Sequence, residues 1–184
     1  MKNLLRKYLP YLNFLPLTVF VGTARYKVLL SEGVKSNAWQ DPFYYSAITA
    51  LVIIGLSLLL KASLNRFLLS VNVFLIGSAA LFLIGNQYLL SLLSNYSGAA
   101  FFLAILITGI ITIFTPEGFT GDTSLSHQQN VNISFLLILG SVGALIWALI
   151  FNASGTIVSI AIPFILLRLT SIFLISRAKK KKIL

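Results

Sequence analysis

The fold is decided by stretches such as Ile133–Phe151, which reads ISFLLILGSVGALIWALIF and contains no charged residue. A membrane-spanning helix needs about 20 mostly apolar residues, because the hydrocarbon core of a bilayer is about 30 Å thick. The rest of the chain has the same character, since 58% of its 184 residues are hydrophobic and only 10% are charged. About a quarter of a soluble domain is charged. The sequence therefore predicts an all-α, polytopic transmembrane helical bundle.

About six such stretches are predicted to span the membrane, and they fill the chain as a single transmembrane domain, residues 1–184. The predicted spans are Leu9–Ala24, Phe43–Leu60, Phe67–Ile84, Ala99–Thr115, Ile133–Phe151 and Thr156–Ser176. The first span is short and contains Pro10 and Pro16, each of which lacks a backbone N–H donor. We therefore expect the first helix to be kinked, tilted or only partly inserted.

The distribution of Lys and Arg predicts the orientation, because these residues are enriched in the inner loops of membrane proteins. If both termini are inside, the inner side holds ten cations: Lys2, Arg6, Lys7, Lys61, Arg66, Arg177, Lys179, Lys180, Lys181 and Lys182. Only Arg25, Lys27 and Lys35 are then outside. This predicts an N-in/C-in protein with six spans.

The C-terminal run Lys179–Lys182 is predicted to bind anionic lipid headgroups, with about 1 kcal/mol per charge. The last four residues, Lys-Lys-Ile-Leu, are also similar to the dilysine retrieval signal of endoplasmic-reticulum proteins. Because such short signals arise by chance in lysine-rich tails, the lipid anchor is favoured. We expect the bacterial inner membrane, with the endoplasmic reticulum as the alternative.

Composition argues against several classes of function. The chain has no cysteine and a single histidine, His127, so neither a Cys-ligated metal centre nor a His-rich site is expected. The four acidic residues are scattered outside the spans, whereas membrane enzymes need clustered Asp, His or Arg. The cations cluster at membrane edges rather than among aromatic residues, so nucleic acid is not an expected partner. The sequence thus predicts a non-enzyme without cofactor or metal.

The loop Pro116–Asn132 is the longest polar segment after the connection Arg25–Pro42, and it carries Glu117, Asp122 and His127. Two carboxylates and a histidine are suitable for a metal or an acid/base site. Solvated loop charges are the favoured interpretation, since a second histidine is missing.

Arg168 is the only full charge deep inside a strong predicted span. Its insertion costs about 2.5 to 3.5 kcal/mol, so it is expected to face a partner or a water-filled cavity. One hypothesis places Arg168 in an internal polar site that binds an anionic group, next to a bend at Pro163. The alternative is that its side chain reaches the inner headgroups.

Asn13 and Asn72 are further candidates for ligand binding, because both amides lie within predicted spans. An asparagine inside a membrane commonly forms a hydrogen bond between helices, worth about 1 kcal/mol. A structural role is therefore favoured for each.

Small residues recur every four positions along the fourth and fifth predicted spans, which allows helix backbones to approach closely. These positions are Ala100, Ala104, Thr108 and Thr112, followed by Gly140, Ala144 and Ala148. They are predicted to pack the two helices against neighbouring helices. A homodimer face is the alternative.

The segment Asn86–Ser97 is amphipathic, with Tyr88, Leu92 and Tyr96 repeating every four residues. A re-entrant or interfacial helix is one interpretation. The favoured interpretation is the last turns of a long third span followed by a surface turn.

The stretch Leu12–Phe20, LNFLPLTVF, resembles the amino-terminal Phe-Leu-Pro-Leu segment of the intracellular septation protein A family, which are small bacterial inner-membrane proteins. Chain length and the order of spans are similar too. The chain differs in having Val131-Asn132-Ile133 where that family has tryptophan and Leu-Asn, and in its acidic, His-bearing loop. The resemblance implies a non-enzymatic role in envelope growth or division through membrane partners.

Two functions follow as hypotheses. The first is a non-catalytic scaffold or partner subunit of the cell envelope, bound to lipids and to a second copy or another membrane protein. The second is a small-solute transporter or substrate-binding membrane subunit with Arg168 in an internal polar site.

Overall fold

The computed structural model describes residues 9, 12–30, 39–62, 65–154 and 157–181. Its α-helices are α1 (Leu15–Leu30), α2 (Gln40–Leu59), α3 (Arg66–Ile84), α4 (Gln87–Asn95), α5 (Ser97–Ile113), α6 (His127–Ile150) and α7 (Ile162–Lys181). A short 3-10 helix, Asn152–Ser154, and a π-helical turn, Ile157–Ala161, lie between α6 and α7. The described part of the chain is helical and contains no strand, which confirms the all-α part of the predicted fold class.

Four segments of the described chain are long and apolar enough to cross a membrane: α2, α3, α6 and the continuous helix Val158–Lys180. The pair α4 and α5 forms a fifth candidate, bent by 92° at the break between the two helices. These helices fit a multi-pass membrane protein, and they present many large apolar side chains at their surfaces. The first predicted span, Leu9–Ala24, differs from the structure: Leu9 and Leu12 are helical, a turn follows at residues 13–14, and α1 then has 16 residues and continues past Ala24 to Leu30.

Helix α6 begins before its apolar stretch, Ile133–Phe151, and the hydrogen bonds at its first turn explain why. The Ser126 hydroxyl accepts a hydrogen bond from the Gln129 N–H at 3.3 Å, and the Gln129 side chain accepts one from the Ser126 N–H at 3.1 Å. This reciprocal capping box satisfies two of the free N–H donors of the first turn. The helix therefore begins at His127, six residues before the predicted start at Ile133.

The amphipathic segment after α3 is a separate helix. Gly85 has a φ of +68°, a conformation that glycine adopts without steric cost, and α3 ends immediately before it. The Asn86 side chain then caps α4 by accepting a hydrogen bond from the Leu89 N–H at 3.2 Å. The interpretation of Asn86–Ser97 as the last turns of the third span is therefore wrong.

Internal contacts divide the chain into two compact units. Unit 1 comprises Met1–Leu64 and Val71–Ser91, and unit 2 comprises Asn65–Ser70 and Leu92–Leu184. In unit 1, α1 packs against α2. The centre of the Phe43 ring lies 4.8 Å from the centre of the Phe20 ring and 5.6 Å from that of Phe82. In unit 2, α6 packs against both α5 and α7. The single transmembrane domain remains a prediction.

The π-helical turn precedes Pro163, and the chemistry of proline explains a contact there. In the π register the N–H of residue 163 would bond to the carbonyl of Val158, but proline has no N–H. The Trp147 indole N–H supplies the donor instead, at 3.0 Å from the Val158 oxygen. A carbonyl within an apolar helix is thus satisfied by a neighbouring side chain, as a membrane environment requires.

Candidate functional site

The most extensive polar cluster of the described residues surrounds Arg66, the first residue of α3. The Arg66 Nη2 atom lies 2.6 Å from a carboxylate oxygen of Glu117, and its Nη1 atom donates to the Gly118 carbonyl at 2.9 Å. The same nitrogen also donates to the Thr115 hydroxyl. The cation therefore holds the segment that follows α5 at three points, which is the use for which a guanidinium is best suited.

Asn130, at the end of the first turn of α6, contacts the other side of this segment. Its side chain is 1% exposed, and its Oδ1 atom accepts a hydrogen bond from the Thr120 hydroxyl at 2.6 Å. Its Nδ2 atom donates to the Asp122 carbonyl at 3.0 Å. A buried amide is stabilising only where its donor and acceptor are both satisfied, as they are here.

Gly118 and Ser134 form the closest approach between the segment and α6. Gly118 has a φ of +57°, and a Cβ atom built on it would lie 2.5 Å from the Ser134 hydroxyl oxygen. That hydroxyl accepts a hydrogen bond from the Phe119 N–H at 2.7 Å and donates to the Asn130 carbonyl at 2.6 Å. Only glycine meets both the backbone and the space requirement at this position.

An ion pair closes the cluster at the end of α7. The Lys179 ammonium lies 2.8 Å from Oδ2 of Asp122. The other carboxylate oxygen, Oδ1, accepts hydrogen bonds from the Ser124 N–H and hydroxyl. Partial burial by itself raises the pKa of the Asp122 carboxyl, but the hydrogen bonds from Lys179 and Ser124 outweigh it, so the pKa lies below its ordinary value of 3.8. The carboxylate is therefore ionised at neutral pH.

We call this set the loop cluster; its members are Arg66, Thr115, Glu117, Gly118, Thr120, Asp122, Asn130, Ser134 and Lys179. Its carboxylates are ion-paired. The His127 ring, the third candidate of the predicted acid/base site, lies 3.4 Å from the Pro116 carbonyl through Nδ1. Among the described residues no group of three His, Asp or Glu side chains is arranged to hold a metal ion. The arrangement orders a loop at one end of unit 2.

Arg168 is half-buried within unit 2, with its guanidinium carbon 5.9 Å from the centre of the Phe67 ring. Phe67 in turn stacks on Phe164, at 5.2 Å between ring centres, one helical turn before Arg168. A cation over an aromatic face is stabilised by about 0.5 to 2 kcal/mol, depending on its desolvation. The structure thus gives Arg168 an aromatic neighbour, and its predicted ligand-binding role remains a prediction.

Asn13 and Asn72 both belong to unit 1 and are 2% and 1% exposed. Neither polar atom of the Asn72 side chain has a hydrogen-bond partner in the described part of the chain. An amide buried in this way costs about 1 to 3 kcal/mol. The interhelical hydrogen bond expected for Asn72 is therefore not formed among these residues.

The small residues of α5 and α6 lie near helix contacts. A Cβ atom at Gly140 would lie 3.2 Å from Leu167 of α7, and Ala144 and Ala148 are buried. On α5 the closest approaches are made by two glycines that the spacing argument did not include: Gly98 faces Ala148, and Gly109 faces Ile138.

The other predicted packing residues of α5 have a different environment. Ala100, Ala104 and Thr112 are partly exposed and Thr108 is buried. The two threonine hydroxyls donate to carbonyls of their own helix, at 2.8 Å for Thr108 and 2.7 Å for Thr112. The close-packed face of α5 is therefore turned by about 100° around the helix axis from the predicted row, toward Gly98 and Gly109.

Of the basic tail, Lys179 is ion-paired and Lys180 is exposed. Lys182 lies outside the described residues, as do Lys2, Arg6, Lys7, Pro10 and Lys35. The predicted lipid contacts of the tail remain a prediction.

Sequence reasoning missed the pairing of Arg66 with Glu117, although it named both residues. They are 51 positions apart, and no local pattern joins them. Two signals were present in the sequence: Gly118 two residues after Pro116, which is typical of a tight turn, and the Ser126-x-x-Gln129 capping box.

Comparisons of this chain with protein-family models, with curated proteins and with solved structures find no match.

Proposed function

We propose that this protein is a non-catalytic integral membrane subunit that acts as a scaffold or partner in a cell envelope. In this proposal it has six spans, an N-in/C-in orientation and a location in the bacterial inner membrane. The observation that supports a scaffold is the loop cluster, in which Arg66, Glu117, Asp122 and Lys179 are all engaged in ordering one polar loop. A loop that is already ordered loses little conformational entropy when a partner binds.

Cross-linking in native membranes tests the proposal, and the cysteine-free chain suits it. A single Ser124→Cys variant places a thiol on the exposed surface of the ordered loop. We expect this thiol to cross-link to a second membrane polypeptide or another copy, and the cross-link to weaken when Arg66→Met disorders the loop. Lys180→Cys is the matched control at the same end of unit 2. A chain that is monomeric and free of partners under these conditions would contradict the proposal.

The same cysteines test the orientation. Ser124→Cys and Lys180→Cys are expected to react with a membrane-impermeant thiol reagent only after the membrane is opened. Tyr88→Cys, on the exposed side of α4, is expected to react in intact cells. Equal accessibility of all three thiols from outside would contradict the N-in/C-in arrangement.

A second candidate function, binding or transport of a small polar solute, is favoured by one observation. Asn72 is buried in an apolar helix with its donor and acceptor both unsatisfied in the described part of the chain. Buried amides are ordinarily partnered, so a polar solute or water is a suitable partner. A thermal-unfolding screen with amino acids, sugars and inorganic ions tests this, and Asn72→Leu is expected to abolish any stabilisation found. If no solute stabilises the wild-type protein, this candidate is wrong.

A further inference from the structure

A groove between α6 and α7 runs along unit 2. Its wider part has a volume of about 230 Å³ and is lined by small and apolar residues, among them Gly140, Gly143 and Pro163. A second cavity of about 170 Å³ continues it, because Ile133 lies one turn before Leu137 on α6, and Leu174 lies one turn after Thr170 on α7. The two cavities together follow the seam between the helices.

The groove is apolar along most of its length and polar at one end. The polar end is lined by Gln129, Asn132 and Arg177, where both helices change from polar to apolar sequence. From Arg177 to Pro163 the helix rises about 21 Å, at about 1.5 Å per residue. One leaflet of the hydrocarbon core is about 15 Å deep, so the groove is long enough for an extended acyl chain.

The charge at the polar end is not neutralised within the described residues. Arg177 forms no ion pair there, since Glu117 is bound to Arg66 and Asp122 to Lys179. The Asn132 amide oxygen accepts a hydrogen bond from Gln128 at 3.3 Å, whereas its NH₂ group donates to no described residue. A guanidinium and an amide donor beside an apolar channel match a phosphate group that carries an acyl chain.

We infer that the groove between α6 and α7 binds one anionic phospholipid, with its phosphate at Arg177 and Asn132 and one acyl chain along Gly140 and Gly143. This inference goes beyond the proposed scaffold function, because it assigns a single lipid to a defined site. It also differs from the diffuse attraction expected of the lysine tail. The glycines matter because their missing side chains leave the channel open, and a Cβ atom on Gly143 would meet no other atom within 4 Å.

Charge favours a lipid over a second copy of the chain. A symmetric contact across this groove, with the two-fold axis along the membrane normal, would bring two Arg177 residues and two Lys180 residues near one another. Like charges at such a contact repel, whereas an anionic headgroup neutralises them.

Lipid binding to the full-length chain in an uncharged detergent tests the site. Phosphatidylglycerol and phosphatidylcholine with identical acyl chains are titrated, and binding is followed by native mass spectrometry and thermal unfolding. We expect wild type to prefer phosphatidylglycerol and Arg177→Gln to lose about five-fold in that preference. Lys180→Gln, the same charge change one turn further along α7 but outside the groove, is expected to retain it.

Gly143→Leu tests the acyl channel separately from the headgroup site. It is expected to weaken binding of both lipids by filling the groove, whereas Gly77→Leu, at an exposed glycine on α3, is expected to have no effect. Glycerol phosphate without an acyl chain is expected not to stabilise the protein at the same concentration.

Three outcomes would overturn the inference. The first is an equal loss of preference in Arg177→Gln and Lys180→Gln, which would indicate diffuse surface charge. The second is equal stabilisation by glycerol phosphate and by the lipid, which would indicate a soluble-phosphate site. The third is a disulfide between two Gly143→Cys chains in native membranes, which would place another protein copy in the groove.

Discussion

Asn130 and Asn72 are equally buried, each 1% exposed, but their surroundings differ completely. Asn130 is bound by Thr120 and by the Asp122 carbonyl of a folded loop. Asn72 lies in the middle of α3, and neither of its side-chain polar atoms finds a partner among the described residues. The Asn130 amide thus stabilises the fold because a neighbouring polar loop supplies its hydrogen-bond partners. The Asn72 amide lacks such partners among the described residues, so it is either tolerated in the folded protein or bound by a ligand.

The largest effect is expected from Asn130→Leu, because it removes the amide donor to the Asp122 carbonyl and the buried acceptor of the Thr120 hydroxyl, which keeps only its bonds within the loop. We expect a loss of about 3 kcal/mol in the free energy of unfolding. Denaturant titration of the purified protein in detergent measures it. Gln128→Leu, on an exposed position two residues earlier, is the control and should change the value by less than about 0.5 kcal/mol.

Gly118→Ala is expected to destabilise the same loop by steric overlap rather than by the loss of a hydrogen bond. The new methyl group would stand 2.5 Å from the Ser134 hydroxyl at a φ of +57°, so a loss of about 2 to 3 kcal/mol is expected. Gly143→Ala is the matched control, since its Cβ meets open space and alanine is the better helix former. Equal stability of the two variants in thermal unfolding would show that the loop adapts to the methyl group.

Arg66→Met removes the cation that holds Glu117 and the Gly118 carbonyl. Hydrogen bonds to charged groups are worth about 1.5 to 3 kcal/mol, so we expect a loss of about 2 kcal/mol together with faster proteolysis of the loop. Lys180→Met removes an exposed cation that is not part of the loop cluster. If both variants are cleaved at the wild-type rate, the Arg66 contacts do not order the loop.

Asn72→Leu is expected to increase the free energy of unfolding, in contrast to the three substitutions above. Replacing an unpartnered buried amide by an apolar group of similar size should stabilise the protein by about 1 kcal/mol. Asn72→Ala, which removes the amide but opens a cavity, should be less stable than Asn72→Leu. A destabilised Asn72→Leu protein would indicate that the amide has a partner in the native protein and would remove the contrast with Asn130.

The smallest effect on stability is expected from a change of pH that protonates Asp122. Because the pKa of Asp122 is lower in the folded protein than its ordinary value of 3.8, ionisation of this carboxyl favours folding. That contribution is complete above the ordinary pKa and is lost as the pH falls below 3.8 through the folded-state value. Asp122→Asn should make the unfolding temperature less dependent on pH in this acidic window. An unchanged pH profile would show that the ion pair with Lys179 contributes nothing.

A comparison of the predicted and the observed helices shows how much of this fold a single sequence reveals. The apolar stretches predict α2, α3 and α5 to within a few residues, because hydrophobic length alone determines where such helices can lie. The start of α6 and the end of α7 extend beyond the apolar stretches, since polar residues continue a helix wherever caps and loop contacts support it. The helix break at Gly85 depends on backbone conformation, which hydrophobicity does not reveal.

The candidate site was predictable only in its parts. Glu117, Asp122 and His127 stand out as an unusual loop, but the cation that binds Glu117 begins a different helix. Pairing of this kind depends on how α3 and α5 meet at Arg66, and a single sequence carries no record of that contact. Arg168 illustrates the same difficulty, because Phe67 lies about a hundred residues away in sequence.

The hydrogen bond between Trp147 and Val158 gives this protein a built-in optical reporter. Trp147 is one of only two tryptophans, and its ring also lines the groove between α6 and α7. Indole emission depends on the polarity and hydrogen bonding of the ring, so replacing Trp39 by phenylalanine would leave a fluorophore that responds to events in one place. Brominated acyl chains that enter the groove would quench it, and loss of the π-helical turn would shift its wavelength, so that occupancy and backbone state are read from a single emission spectrum.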